Sequence, residues 1–277
     1  MKTEPTLIKL ELAADAHRGD TFEAYRTAVE RAIAYMKEHL AEPLDLDQLA
    51  RVAAVSKYHL VRVFGEMTGI SPLYFLACLR IQQAKELLLA PRASVGDVCL
   101  EVGYTSLGSF SNSFRDLVGV TPEAFRALPK KLTVKQFASA VWAYLASDRK
   151  VSDTALEGIV ENPLQSRGFI FVGTFTRGVP QGTPFSGTVM VKPGTFRIER
   201  PRLPEFYLMA VLIPFTANLS TMVATLPVGL VASLRLANTN EAYSEKPCLR
   251  LRPLRATDPP ILLALPALPP WREALAK

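Results

Sequence analysis

The sequence predicts an all-α domain followed by an all-β sandwich domain. Three observations point there. Residues 56–75 and 106–125 repeat one pattern at a spacing of fifty. From about residue 168 the texture changes to short β-like segments separated by Gly and Pro. At 277 residues the chain is also long enough to build two separate cores.

The repeat is read first. Phe64-Gly65-Glu66-Met67-Thr68-Gly69-Ile70-Ser71-Pro72 falls on Phe114-Arg115-Asp116-Leu117-Val118-Gly119-Val120-Thr121-Pro122. Upstream the offset is forty-nine, with Leu49-Ala50 on Val98-Cys99 and Ala54 on Gly103, so the second copy has one extra residue in its turn. Asp45 and Ser94 stand three residues before Gln48 and Asp97, the spacing of a capping box. They open helices at about 46–54 and 95–102, each ending at a small residue where a second helix must cross closely. The second helices, about 57–67 and 107–117, stop at Gly69 and Gly119, positions suited to a left-handed residue. Ser71-Pro72 and Thr121-Pro122 then restart helices with a hydroxyl cap and Pro in the first turn. Helix, short turn, helix is the helix-turn-helix unit, whose second helix lies in the major groove of DNA. The all-α part is therefore a double helix-turn-helix domain.

At these residues the chain resembles the DNA-binding domain of the AraC/XylS family of bacterial transcription regulators. Leu49-Ala50, Ser56, Leu60, Phe64, Gly69-Ile70-Ser71-Pro72, Arg80, Ala84 and Leu87-Leu88 match the first half of that domain. Glu101-Val102-Gly103-Tyr104, Phe110, Phe114, Gly119-Val120-Thr121-Pro122 and Phe125-Arg126 match the second. The resemblance covers roughly residues 25–127 and implies double-stranded DNA as the partner.

Taken in order, residues 1–21 read as a flexible N-terminus and 22–128 as the DNA-binding domain. Phe22, Tyr25, Val29, Ile33, Met36 and Leu40 recur at helical spacing over 22–40. In the first recognition helix Leu60, Val63 and Phe64 share the inward face, which leaves Tyr58, Val61 and Arg62 turned outward. The resemblance places these outward residues against base edges. Arg62 suits a bidentate contact to guanine and Val61 a thymine methyl, while Ser56 and Lys57 suit phosphate. His59 reads as a partly packed surface histidine, with a base contact as the alternative. A helix over 72–90 joins the two units and fixes their separation. In the second recognition helix Phe110 and Phe114 face inward, so Ser106, Leu107, Gly108, Ser111 and Asn112 fall on the implied DNA-facing positions, with Arg115 beside them. Asn112 suits adenine, but the short side chains around it predict weaker direct readout and more reliance on phosphates and DNA shape.

Charge lies in an unexpected place. Residues 1–131 hold sixteen Lys and Arg against sixteen Asp and Glu; the remainder holds sixteen against ten, the whole excess of +6. The DNA-binding half is not basic overall, so affinity must rest on where charges sit and on helix N-termini aimed at phosphates. The three cysteines have no CxxC spacing, and Cys78 and Cys99 read as reduced core thiols of a cytoplasmic protein. Residues 1–20 lack the apolar core of a secretory signal. Phe206–Leu234 carries no charge, yet Pro214, Asn218, Pro227 and Gly229 interrupt it, so buried strands are preferred over a membrane span.

Residues 129–167 are expected to be a linker with an amphipathic helix at 133–147, carrying Val134, Phe137, Val141, Trp142 and Leu145 on one stripe. Docking within the chain is the preferred use of that stripe, and a dimer interface the alternative. Residues 168–277 supply seven strand candidates, at 168–176, 186–191, 195–199, 206–213, 224–236, 248–254 and 261–265. Phe169–Gly173, Pro193–Ile198 and Phe206–Ala210 faintly resemble prealbumin-like sandwich domains. The histidines are His17, His39 and His59, so no Ser–His or Cys–His pair can form in this half. No metal-ligand cluster or Gly-rich phosphate loop is seen, and neither cofactor nor metal is expected. Pro247-Cys248-Leu249-Arg250 is similar to the Pro-Cys-His-Arg motif of DNA-repair alkyltransferases, with Leu249 in place of the activating histidine. Repair chemistry is therefore disfavoured.

The expected function is sequence-specific DNA binding in transcription regulation, with the β domain sensing a small-molecule effector. The alternative is a β domain that only forms a homodimer or contacts other proteins, RNA polymerase being the expected partner of an activator. Arg197, Arg200, Arg202, Arg250, Arg252 and Arg255 read as a solvated face before an anion site or a DNA flank contact.

Overall fold

The computed structural model describes residues 16–90, 93–131, 155–215, 229–237 and 246–263. Seven helices come first: α1 (Ala16–Glu38), α2 (Leu46–Ala53), α3 (Lys57–Thr68), α4 (Pro72–Leu88), α5 (Val95–Glu101), α6 (Leu107–Val118) and α7 (Pro122–Lys131). Helix α1 begins six residues before the expected start at 22, and α7 ends at Lys131. The expected helix at 133–147 lies outside the described residues.

The helix ends are set by local chemistry. Both capping boxes form. The Asp45 carboxylate accepts from the Gln48 amide at 2.7 Å while Gln48 Oε1 accepts from the Asp45 amide at 2.9 Å. Ser94 and Asp97 make the same reciprocal pair at 3.0 Å, and the Ser94 hydrogen bonds hold the Asp97 carboxyl below its usual range. Thr121 caps α7 through the Ala124 amide at 3.2 Å, but Ser71 makes no side-chain cap; there Pro at the first position serves alone. Gly69 and Gly119 end α3 and α6 in the left-handed region, as does Ala54 after α2. The second copy uses Gly103 at φ +82°, where a Cβ would stand 2.7 Å from the Ala41 carbonyl oxygen. The small residue there is required by both conformation and close approach.

Helices α1–α3 pack together, α5–α7 pack together, and α4 packs against both groups. Matching aromatic contacts close each group. Phe64 meets Phe75 edge-on at 5.4 Å; Phe114 meets Phe125 likewise at 5.5 Å. All four rings are buried, and loss of any one is expected to cost ~3–5 kcal/mol. Two arginines pin loops across the fold. Arg80 donates to the Leu40 and Glu42 carbonyls, and Arg126 to those of Leu88 and Ala93.

The second half forms two sheets. One has the order β4 (Gly194–Ile198), β1 (Leu156–Glu161), β7 (Cys248–Arg250); the other β3 (Gly187–Met190), β2 (Gly168–Phe175), β5 (Glu205–Pro214), β6 (Leu230–Ala237). All pairings are antiparallel except β1 with β7, which is parallel. Strand β1 falls inside the expected linker 129–167, so the strand-rich region begins at 156 rather than 168. The segment at 248–254 is a strand only to Arg250, after which Arg252 forms an isolated bridge with Val231. Residues 261–263 are not a strand, although Leu262 is fully buried.

Inward residues of both sheets share one apolar cluster, including Leu156, Val160, Phe196, Leu208, Leu212 and Leu249. The opposite face of the four-stranded sheet does something the sequence did not announce. Phe175, Val189, Met209, Val211, Ile213 and Val231 join the core of the helical domain as one continuous cluster. Strand β5 is thus covered on both faces, with Leu208, Ala210 and Leu212 turned one way and Met209, Val211 and Ile213 the other. Double-sided burial explains its unbroken apolar run. Among the described residues, no helix is long and apolar enough to cross a membrane.

Candidate nucleic-acid interface

Helix α3 has a buried face made by Leu60, Val63 and Phe64, each at most 1% exposed. Its 3.6-residue period then forces Tyr58, Val61 and Arg62 outward. Tyr58 is 80% exposed, with the Lys57 ammonium 5.8 Å from its ring centre. Ser56 caps the helix, its hydroxyl accepting from the His59 amide at 3.2 Å. Lys57 lies 3.3 Å from Asp47 on α2, and so carries its charge beside a carboxylate.

Arg62 is held from three sides. Its Nη1 donates to Glu66 Oε1 at 3.2 Å, its Nη2 lies 3.3 Å from His59 Nδ1, and its guanidinium sits over the Tyr25 ring at 5.9 Å. His59 in turn meets Tyr25 edge-on at 4.8 Å. This supports the packed reading of His59: its ring orients Arg62 and rests on α1. Tyr25 and Glu66 were missed as site residues. The i,i+4 spacing from Arg62 to Glu66 was the available signal.

Helix α6 repeats the geometry with different side chains. Phe110, Phe114, Leu117 and Val118 face the core. Leu107 is 51% exposed, Gly108 and Asn112 are exposed, and Ser111 is partly covered. Ser106 caps the helix through the Ser109 amide at 3.4 Å. Arg115 donates from Nη2 to Asn112 Oδ1 at 3.3 Å, and its Nε lies 3.8 Å from Asp116. A bidentate amide contact to adenine uses that oxygen as an acceptor, and its second lone pair stays available beside Arg115. The structure therefore brings Tyr58, Val61 and Arg62 onto one outward face and Leu107, Gly108 and Asn112 onto the equivalent face. Ser56 and Ser106 are occupied as caps, while Lys57 and Arg115 stand beside carboxylates.

The basic residues of the β half are largely engaged. Arg252 forms a two-pronged pair with Asp258 at 2.7 Å, and Glu157 lies 3.6 Å from Arg197 and 3.0 Å from Lys246. Cys248 is exposed on β7, and its thiol is pushed up by partial burial and then by Glu161, the wrong direction for a nucleophile. Cys78 and Cys99 are buried and unpaired by disulfide, and burial pushes the Cys78 thiol up to about 12.

Residues 49–128 match the family model of the helix-turn-helix domain. This part of the chain is a helix-turn-helix domain. The MmsAB operon regulatory protein of Pseudomonas aeruginosa is 38% identical over 93 residues, covering 34% of this chain and 30% of the relative. The bifunctional transcriptional activator/DNA repair enzyme AdaA of Bacillus subtilis is 30% identical over 96 residues, 35% of this chain and 46% of that protein. The AdaA match lies in the helix-turn-helix part. Among solved structures, the DNA-binding domain of AdpA, a global transcriptional factor in complex with a target DNA, is 34% identical. The match covers 36% of this chain and 90% of that one, at a TM-score of 0.35. The chain spans less than half the length of the curated relatives it matches.

Proposed function

We propose that the chain is a sequence-specific transcription regulator of the AraC type, not an enzyme, that reads two successive major grooves of double-stranded DNA. The observation that carries this is the doubled geometry. Two helices with matching caps and buried faces, joined by α4, each present an outward face at equivalent positions, 58, 61 and 62 in one and 108, 111 and 112 in the other. Such a pair suits one face of a duplex, with half-sites about one turn apart. Selection of bound sequences from random DNA tests it. A two-part consensus is expected, and no enrichment would overturn the reading.

The β half is the regulatory module in this proposal, an open sandwich of prealbumin-like type that takes a small-molecule effector. Its continuity with the helical core favours an effector role over a purely dimerising one, because one face of the four-stranded sheet belongs to the same buried cluster as the helices. The test is a screen of metabolites for a change in DNA affinity of the full chain. If no compound acts and affinity instead follows protein concentration as a dimerisation curve, the β half serves assembly.

A further inference from the structure

The loop between β2 and β3, residues 176–186, touches both reading units and the helix that joins them. At one end Gly178 lies against Gly69, the left-handed residue that terminates α3. A Cβ on Gly178 would come within 3.2 Å of the Gly69 backbone. At the other end the Gly182 amide donates to the Leu117 carbonyl at 2.7 Å, satisfying one of the acceptors that the end of α6 leaves open. Between them Gln181 Oε1 accepts from the Tyr74 hydroxyl at 2.6 Å, in the first turn of α4. Arg177 covers the Tyr74 ring at 4.6 Å. Val179 is fully buried, and the Pro180 carbonyl accepts from the Leu262 amide at 3.2 Å.

These contacts fall at the junction of the two helix groups. Among the described residues the α1–α3 and α5–α7 groups meet through α4, with the close approach of Gly103 to Ala41 as a direct loop contact between them. The loop supplies a further tie at the far ends of the two reading helices. Helix α3 is about 18 Å long, so this tie acts a full helix length away from the base-facing N-terminal turn of α3.

Resting on the reading of α3 and α6 as DNA readers, we infer that Gly178, Gln181 and Gly182 position the two helices relative to each other. They thereby set the half-site spacing that the protein accepts. Gly178 admits the close backbone approach, and Gly182 holds φ +60°, where its Cβ would stand 3.0 Å from the Asp116 carbonyl. The β half is then part of the specificity of DNA reading, even though it lies away from the base-facing side chains.

The test uses the full chain and the two-part consensus from selection, with the spacer lengthened or shortened by one base pair. The wild type is expected to discriminate against both altered spacers. Gln181→Ala and Gly182→Val are each expected to lower that discrimination by about ten-fold, roughly one hydrogen bond's worth. Gln181→Glu keeps an acceptor for Tyr74 and is expected to retain the wild-type preference. Should Gly182→Val fail to fold, the Gln181→Ala and Gln181→Glu pair decides. Folded Gln181→Ala with unchanged spacer discrimination would overturn the inference while leaving DNA reading intact. No enriched sequence at all would instead remove the reading on which it rests.

Discussion

Arg62 donates to Glu66 one turn further along α3, Nη1 to Oε1 at 3.2 Å, so the strongest candidate base reader is turned onto its own helix. Contact with a base edge requires that pair to open. Both side chains are about half exposed, so opening costs little. Glu66→Gln removes the competing carboxylate and its repulsion of phosphate. DNA binding is expected to tighten by about two- to five-fold, with a loss of sequence discrimination. Titration against consensus and scrambled duplexes checks both.

The two reading helices are expected to contribute unequally. Arg62→Ala should weaken specific binding by ~1–3 kcal/mol and relax preference at one position of its half-site. Asn112→Ala should cost less than about 1 kcal/mol, because its neighbours Gly108 and Ser111 offer little further contact to hold it against a base. Equal losses from both would contradict the asymmetry.

Val61 and Leu107 leave apolar surface on the reading faces, 39% and 51% exposed. Thymine methyl groups are the natural partners of such side chains. Replacing thymine by deoxyuridine across the selected site should weaken binding by about 0.8 kcal/mol for each methyl that is met. Wild-type affinity on fully deoxyuridine-substituted DNA would rule that contact out.

Lys85 is fully buried on α4, its ammonium 3.3 Å from the Leu262 carbonyl and 5.7 Å from the centre of the Phe125 ring. Burial lowers its pKa from 10.5 to about 7, with Glu86 opposing the shift. Between those values the unfolded chain holds a proton that the folded chain lacks, so rising pH favours folding. Below the folded value the burial penalty is present in full. Lys85→Met is therefore expected to remove a component of stability that climbs by at most about 1.4 kcal/mol per pH unit across that window. Urea unfolding of both proteins at neutral and alkaline pH measures it. Parallel pH profiles would show that the amine carries no such cost.

Much of this architecture was legible because the helical half is punctuated by short-range chemistry. The Asp45–Gln48 and Ser94–Asp97 boxes, and the glycines at 69 and 119, act within one turn and so announce themselves in sequence. Outward placement of Tyr58, Arg62, Leu107 and Asn112 followed from periodicity alone. Long-range consequences were not legible. Strand β1 is short and its Leu-Glu-Gly-Ile-Val-Glu run carries little β-branched bulk, so its place beside β4 and β7 depends on pairing partners far along the chain. Nothing local in Met209, Val211 and Ile213 says that their face meets helices rather than solvent. Ser71 has the residue type of a cap without the bond, since Pro72 already satisfies the geometry. Partners such as Glu66 and Asp47 were visible as spacings and charges, but which ones meet Arg62 and Lys57 is decided by rotamers.

Hydroxyl-radical footprinting of the full chain on its selected DNA tests the central claim most directly. Two protected tracts on one face of the duplex, about ten base pairs apart, are expected from α3 and α6 entering successive major grooves. A single tract, or tracts on opposite faces, would contradict it.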